Sequence, residues 1–401
     1  MQILRANSPK QVHDFLSVVN LIYQNDSNYV RPLDGMVEEV FSEKQNPLFL
    51  NGKATRFVAY DQSGRPTGRI AAFINGNKAY GYDQPTGGIG FFECIDDQAT
   101  AFALFDTAKK WLADQGMEAM DGPINFGENV DFWGLLVEGF TQPAFGMQYN
   151  PPYYRTFFEQ YGFATYYEQI TNHLNLKKPF PERFWRIAER LIAKPEFEFR
   201  HFEYAKGEEF VRHVVEIYND AWRFHDNFTP TKPEHIRTLM QKARPFLMEE
   251  LIWFAYHNGE PVAFLVMFPD VNQIIRHFNG KIGFWGKIKF LILKQQKTMT
   301  RTRVTALGVK AHFQRMGVES GLFYQLRDVV ARNPHISEME LSWVGDFNPK
   351  MRALQEAMES VFGKRHITYR YLFDEKKRQN FQRVNTISPD TKEKIKKRTT
   401  D

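Results

Sequence analysis

The twenty residues from Val304 to Phe323, VTALGVKAHFQRMGVESGLF, set an apolar β-type run, a short basic loop and the start of a helix in immediate succession. That order makes an anion cradle. The first N–H groups of a helix have no intrahelical acceptor and carry partial positive charge, so a loop ending there can hold a pyrophosphate largely with its backbone. Gly317 lets the backbone come close, and Gln314 and Arg315 add donors. A second strand-to-helix passage, FFECIDDQATAFALF, runs through Asp96 and Asp97 instead. Those carboxylates repel a pyrophosphate and suit helix N-caps.

The elements around the two passages repeat. FVAYDQSGRPTGRIAAF from Phe57 and WFAYHNGEPVAFLVMF from Trp253 both read as strand, polar glycine turn, strand. After the first come a strand (GGIGFFEC), a helix (Ala99 to Gln115), a strand (Ala119 to Phe126) and a helix near Pro152 to Tyr161. The second is followed by the strand VTALGVK, a helix (Val318 to Ala331), the strand MELSWV, a helix from Pro349 to Ser360 and the strand HITYRYLF. Phe102, Phe105, Ala108, Lys109 and Leu112 share one helical stripe, and Gly116 ends it. A hairpin followed by β-α-β predicts helices packed on a central sheet. At 401 residues the chain exceeds one core, and the boundary is expected near Thr171.

On these residues, ALGV followed by FQRMGVE resembles the signature of the GNAT (GCN5-related N-acetyltransferase) superfamily, a strand preceding the loop Q/R-x-x-G-x-G/A. Gln314 and Gly317 match its first two positions, and Glu319 stands where Gly or Ala is usual. The resemblance implies an α/β (α+β) fold of two tandem GNAT-like domains, each a mixed central sheet flanked by helices. Residues 1–170 would be a degenerate copy, 171–373 the acyl-CoA-binding copy and 374–401 a basic tail. It implies acetyl-CoA or another acyl-CoA as co-substrate, held by Leu307, Gly308, Val309, Gln314, Arg315, Met316, Gly317, Val318, Glu319, Ser320 and Asn348. The backbone from Ala306 to Val309 would hold the thioester carbonyl and supply oxyanion donors. An acidic Glu319 beside a pyrophosphate costs electrostatic energy unless it points away. Asp346 and Asn348 fit equally as helix caps.

Acyl transfer to an amine needs a base for the ammonium proton and is helped by an acid for the departing thiolate. Glu340 reaches the cleft if the alternation of Glu338, Glu340 and Ser342 faces it, and it fits equally as an exposed strand residue. Tyr369 and Tyr371 are candidate acids or packing residues. Two irregular segments, GPINFGENVDFWGLLVEGF and MQYNPPYYRTFFEQYGF, also look like those of bacterial tandem GNAT-like proteins. Their Asn125, Asn129, Asn150, Tyr153 and Tyr154 are expected to shape an acceptor pocket between the domains, or to satisfy loops. The expected activity is N-acyl transfer, by default of acetyl, to a small-molecule or peptide amine. Two alternatives stand beside it: a catalytically silent acyl-CoA-binding or lipid-surface protein, and an aminoacyl-tRNA-dependent transferase.

Composition bounds these readings. Apolar residues make up 43% and charged residues 25%, as in globular proteins, and the 37 phenylalanines predict aromatic cores. Cys94 alone excludes an intramolecular disulfide and a multi-cysteine zinc site, and no metal site is expected. The net charge is +5, but residues 374–401 hold nine basic against five acidic side chains, so the rest is nearly neutral and nucleic acid is not an expected partner. No signal peptide or membrane-spanning run is read, and a cytoplasmic location is expected. Residues 273–303 are basic and aromatic, with an apolar heart at Ile288 to Leu293. They are expected to touch a membrane surface, to close over an acyl chain, or to pack on the other domain. The sequence does not set the oligomeric state.

Overall fold

A computed structural model describes residues 1–126, 133–223, 230–381 and 383. The first half runs β1 (Gln2–Arg5), α1 (Pro9–Ser17), α2 (Val19–Ile22), α3 (Asp34–Val40), β2 (Gly52–Tyr60), β3 (Pro66–Asn75), β4 (Thr86–Cys94) and α4 (Gln98–Asp114), then β5 (Ala119–Gly122), β6 (Leu135–Glu138), α5 (Tyr154–Tyr161) and β7 (Ala164–Asn175). The second half runs α6 (Glu182–Ile192), β8 (Phe197–His201), α7 (Gly207–Ala221), α8 (Pro233–Ala243), β9 (Ile252–His257), β10 (Glu260–Pro269), α9 (Asn272–Ile275) and α10 (Phe284–Gln295). It continues with β11 (Arg301–Val309), α11 (Val318–Arg332), β12 (Glu338–Glu340), β13 (Val344–Gly345), α12 (Pro349–Ala357), β14 (Val361–Leu372) and α13 (Glu375–Gln379).

Local chemistry sets the turns and helix ends. Asp61 accepts from the N–H groups of Ser63 and Arg65 at 2.9 and 3.0 Å, which folds the β2–β3 turn. The β9–β10 turn is Asn258-Gly259 with both residues left-handed, the pairing that matches strand twist in a two-residue hairpin. Asp97 caps α4 by accepting from the Thr100 N–H at 2.9 Å.

All fourteen strands among the described residues join one sheet, in the order β1-β2-β3-β4-β5-β14-β7-β12-β11-β10-β9-β8, with β6 on β14 and β13 on β7. The last strands of the halves are exchanged. β7 closes the first half in sequence yet pairs antiparallel with β12 of the second, while β14 closes the second and pairs antiparallel with β5 of the first. The two exchanged strands also pair with each other from Val361↔His173 to Arg370↔Ala164. Separating the halves would break both outer ladders, so the exchange ties two cores into one cooperative sheet.

One core lies under α4 and α5, where Phe92 stacks on Phe105 at 4.6 Å and Phe158 meets Phe105 edge-on at 4.9 Å. A second lies under α6 and α11 and includes Leu265, Val304, Val318, Leu322 and Met339. A third, with Phe202, Phe210, Phe254 and Phe264, lies near α7. No helix among the described residues is long and apolar enough to cross a membrane.

Candidate active site

The β11–α11 loop is held by α7 and by a bond between its own ends. Lys310 pairs with Glu216, the Ala311 N–H donates to Asp220 Oδ1 at 2.7 Å, and Gln314 Nε2 donates back to the Val309 carbonyl at 3.2 Å. Arg315 and Gly317 are both left-handed, with φ of +75° and +82°, and Gly317 is the residue from which α11 starts. A Cβ on Gly317 would lie 2.7 Å from Ile187 Cγ2 of α6, so glycine is required by backbone and neighbour alike. The helix start therefore stays narrow and rich in N–H groups, with Arg315 and Met316 exposed beside it. Glu319 sits in the first turn, and burial pushes its carboxyl above the usual range.

Beside this loop two parallel strands part. β11 and β12 pair only from Arg301↔Glu338 to Arg303↔Glu340. Ser342 Oγ donates to the Val304 carbonyl at 2.8 Å as a last tie, and the chain then leaves to pair through β13 with β7. The register of β11 against β10 slips at Thr305, a bulge that turns the strand where it loses its neighbour. Ala306 to Val309 stay paired to β10 and have no strand on their other edge among the described residues. The result is a wedge with a free backbone edge along one side, the helix start at its mouth and the Arg303–Glu340 pair at its floor. Gly308 leaves room for Trp222, whose Cζ3 would be 2.8 Å from an added Cβ.

The floor belongs to a buried polar row on one face of the sheet. Glu340 is fully buried, neither carboxylate oxygen has a hydrogen-bond partner among the described residues, and Arg303 Nε lies 3.9 Å away. The Arg303 guanidinium instead rests 4.8 Å from the Trp133 ring centroid and donates to the Phe145 carbonyl. Arg301 makes two bonds to Asp270 Oδ2, at 3.0 and 2.6 Å. Lys364 Nζ donates to Thr141 Oγ1 at 2.7 Å, and its burial pushes its pKa down. His366 Nε2–H donates to the Gln148 carbonyl at 2.9 Å, which fixes the tautomer and leaves Nδ1 unpartnered, and burial lowers its pKa to about 4. The strap from Gly139 to Tyr149 lies over this row, its carbonyls and Thr141 satisfying cations that a low-dielectric site would otherwise exclude.

Comparison with known proteins bears on this geometry. No family model matches the chain. It is 28% identical over 380 residues to a protein of Caulobacter vibrioides (strain NA1000 / CB15N) named Bacterial ceramide synthase, covering 92% of this chain and 96% of that one. It is 27% identical over 374 residues to Protein YghO of Escherichia coli (strain K12), covering 88% and 91%. Among solved structures it resembles a tandem GNAT protein from the clavulanic acid biosynthesis pathway, with a TM-score of 0.55 and 11% identity over 93% of this chain and 98% of that one. A GCN5-related N-acetyltransferase from Sphaerobacter thermophilus matches with a TM-score of 0.53 and 12% identity over 96% and 98%. The chain has the tandem GNAT fold.

The first GNAT-like half contains the same parting of strands, and there it is laced shut. β4 and β5 pair from Thr86↔Ala119 to Gly88↔Asp121, and β4 then slips register near Phe91, a left-handed residue. The Ile124 N–H bonds the Ile89 carbonyl at 2.8 Å, and a Cβ on Gly90 would be 1.9 Å from the Ile124 oxygen, so the gap holds protein backbone. Farther along, Glu93 takes hydroxyls from Tyr23 and Tyr154 at 2.7 and 3.0 Å.

The residues singled out in the sequence fall into separate places of the GNAT frame. Leu307, Gly308 and Val309 end β11, and Gln314 to Ser320 form the loop and first turn of α11, so these ten are continuous around the wedge. Val318 and Ser320 are buried there. Asn348 caps α12, accepting from the Met351 N–H at 3.2 Å. Glu340 reaches the floor, whereas Tyr369 and Tyr371 lie in the first-half core, Tyr369 with its hydroxyl 3.3 Å from Glu159 Oε1. Asn150 is wholly engaged with Leu136 and Pro151, Tyr154 with Glu93 and Cys94, and Tyr153 with the Cys94 carbonyl. Asn125 accepts from the Phe126 N–H and borders a cavity of about 90 Å³ with Asp121, Tyr82 and Tyr166. Asn129 lies outside the described residues. Arg303, Lys364 and His366 were not singled out. Their signal was available in Arg301-x-Arg303 and Lys364-x-His366-x-Thr368-x-Arg370, polar residues at the period that puts them on one strand face.

Proposed function

We propose that this protein is an acyl-CoA-dependent N-acyltransferase whose acceptor is a long-chain amino alcohol and whose product is an amide of the ceramide type. The observation that carries the reading is the wedge between β11 and β12, with the helix start behind left-handed Gly317 at its mouth and unbonded Glu340 at its floor. The residues at the mouth fit a pyrophosphate through backbone N–H groups, and the free edge of β11 fits the amides of a pantetheine arm as a strand would. Similarity over nearly the whole of both chains to a protein named Bacterial ceramide synthase supports a lipid amine and a long acyl chain in place of acetyl. Fold alone would not choose between acceptors.

In the proposed reaction the amine nitrogen attacks the thioester carbonyl, a C–N bond forms, the C–S bond breaks, and coenzyme A leaves as thiolate. The ammonium proton passes to Glu340, directly or through one water, because this carboxylate has no competing hydrogen bond among the described residues. N–H groups on the β11 edge stabilise the oxyanion. The released thiolate takes up a proton from solvent.

The test is to incubate the full chain with palmitoyl-CoA or acetyl-CoA and with sphinganine or short amines, reading free thiol and amide by mass spectrometry. Amide from palmitoyl-CoA and sphinganine is the expected result. Acyl-CoA binding without thiol release across the panel would replace the reading with a silent binding protein. Turnover confined to acetyl-CoA and short amines would overturn the lipid acceptor.

A further inference from the structure

Between β10 and β11 the chain leaves the sheet for residues 270–300, and from Val271 to Val318 it contains no Asp or Glu. The stem of this excursion is fixed. Ile274, Phe278 and Met299 are buried together, the Asp34 N–H donates to the Gly280 carbonyl at 2.7 Å, and Arg276 bonds Gln142 and the Ser27 carbonyl. From this anchored base projects α10, a twelve-residue helix with no buried residue.

At about 100° per residue the helix divides cleanly. Gly286, Phe290 and Leu293 fall on one side, and these are the residues that meet Phe278, Ile282 and the neighbouring clusters. Phe284, Trp285, Ile288, Leu291 and Ile292 fall within an opposite arc of about 120° and are exposed, Phe284 by 71% and Trp285 by 78%. Lys289 borders that arc on one side, and Lys287 and Lys294 border it on the other. Lys281 and Lys297 stand near its ends. Five large apolar side chains in water on one helix face are far more than a soluble surface carries without a partner.

We propose that α10 is a docking helix that lies in the surface of an anionic lipid bilayer. Its apolar arc enters the boundary between headgroups and acyl chains, and Lys281, Lys287 and Lys297 meet lipid phosphates, while Lys294 is bonded to the Pro245 carbonyl and Lys289 lies over the Phe278 ring. Charge complementarity chooses this occupant: flanking lysines without one acidic residue suit a phosphate-covered plane, and an aromatic pair at one end suits the interface. This inference concerns association and does not rest on the acyl-transfer reading.

The experiment is cosedimentation of the full chain with vesicles of phosphatidylcholine alone and of phosphatidylcholine mixed with phosphatidylglycerol, at low and high salt. Binding is expected to the mixed vesicles and to weaken with salt. The double variant Trp285→Ser, Leu291→Ser is expected to lose binding by on the order of tenfold or more. Lys281→Glu with Lys287→Glu is expected to lose a similar factor on mixed vesicles only, each lysine being worth roughly fivefold. All four positions are exposed, so unchanged thermal unfolding should accompany each loss. Wild-type protein that stays in the supernatant, or a Trp285/Leu291 variant that binds as well as wild type, would overturn the proposal. So would sedimentation velocity showing a dimer that the same variant dissolves while vesicles are ignored, for then the arc belongs to a second copy.

Discussion

Replacing Gly317 with alanine tests the cradle most directly. At φ +82° a side chain costs roughly 1–2 kcal/mol of left-handed strain. The new Cβ would also stand 2.7 Å from Ile187 Cγ2, a methyl on a β-branched side chain with restricted χ1, and relieving that overlap costs about 1 kcal/mol more. The loop can escape both by abandoning the left-handed turn, which points the first N–H groups of α11 elsewhere. Acyl-CoA affinity should then fall by roughly 30- to 160-fold, the equivalent of those energies. Ile187→Ala alone removes a side chain that is 41% exposed and should cost under about 1 kcal/mol. In the double variant the overlap disappears and the strain remains, so roughly fivefold of the affinity should return. Calorimetric titration of palmitoyl-CoA into the four proteins, with thermal unfolding beside it, gives the cycle. A Gly317→Ala protein that binds as tightly as wild type would refute the assignment of this loop to the pyrophosphate. Equal losses in the single and double variants would refute the role given to Ile187.

Glu340→Gln should leave palmitoyl-CoA binding within about twofold and lower kcat by on the order of 10²–10³, read by thiol release, and an unchanged kcat would remove Glu340 as the base. Because the substitution removes the ion-pair partner of buried Arg303, the unfolding temperature should fall as well, so binding and kcat are read below the unfolding transition of the variant. Part of the pH dependence of stability follows from His366, whose pKa burial holds at about 4, as it does that of His173, while the unfolded chain titrates near 6.5. A depressed histidine is neutral in the fold, so its contribution is whole above pH 6.5 and is lost as pH falls from 6.5 towards 4, with roughly 2 kcal/mol gone at pH 5. Urea denaturation at pH 7 and pH 5 should show that loss, and His366→Gln should shrink it; an equal loss in the variant would mean other groups carry it.

How far the sequence could be read depended on whether each signal was local. The hairpin turns, the α4 and α11 helices and the loop from Gln314 to Gly317 depend on residues a few positions apart, and each lies where its spacing puts it. The exchange of β7 and β14 is carried by pairings such as Glu340↔His173 and Tyr369↔Gly122, between residues more than 150 positions apart, and both strands read alike as aromatic, alternating runs. A reader who assigns β14 to its own half brings Tyr369 and Tyr371 towards the wedge. Across β5 they instead join the first-half core, and the alternate residues Lys364, His366, Thr368 and Arg370 fall on the polar face. Asn150, Tyr153 and Tyr154 drew notice as polar and aromatic groups in irregular chain. Their hydrogen bonds show what such residues do when no ladder is present, which is to satisfy backbone directly.

The two halves also explain each other. Gly88↔Asp121 and Arg303↔Glu340 occupy the same place in the repeat, the last paired residues before parallel strands part. The neighbour across the next ladder differs, because the exchange brings Arg370 of β14 to Asp121 and His173 of β7 to Glu340. Arg370 takes both Asp121 oxygens at 2.7 Å, a buried bidentate pair whose breakage costs about 3–5 kcal/mol, so that carboxylate is committed to the fold. His173 gives Glu340 no such bond, for neither Glu340 oxygen has a hydrogen-bond partner among the described residues, and burial with the nearby Lys364 lowers the His173 pKa to about 4. Arg303, across the other ladder, is turned away onto Trp133 and Phe145. A single sheet position therefore carries a carboxylate bound bidentately by arginine in one half and a carboxylate without a hydrogen-bond partner among the described residues in the other, where the parallel strands β11 and β12 part.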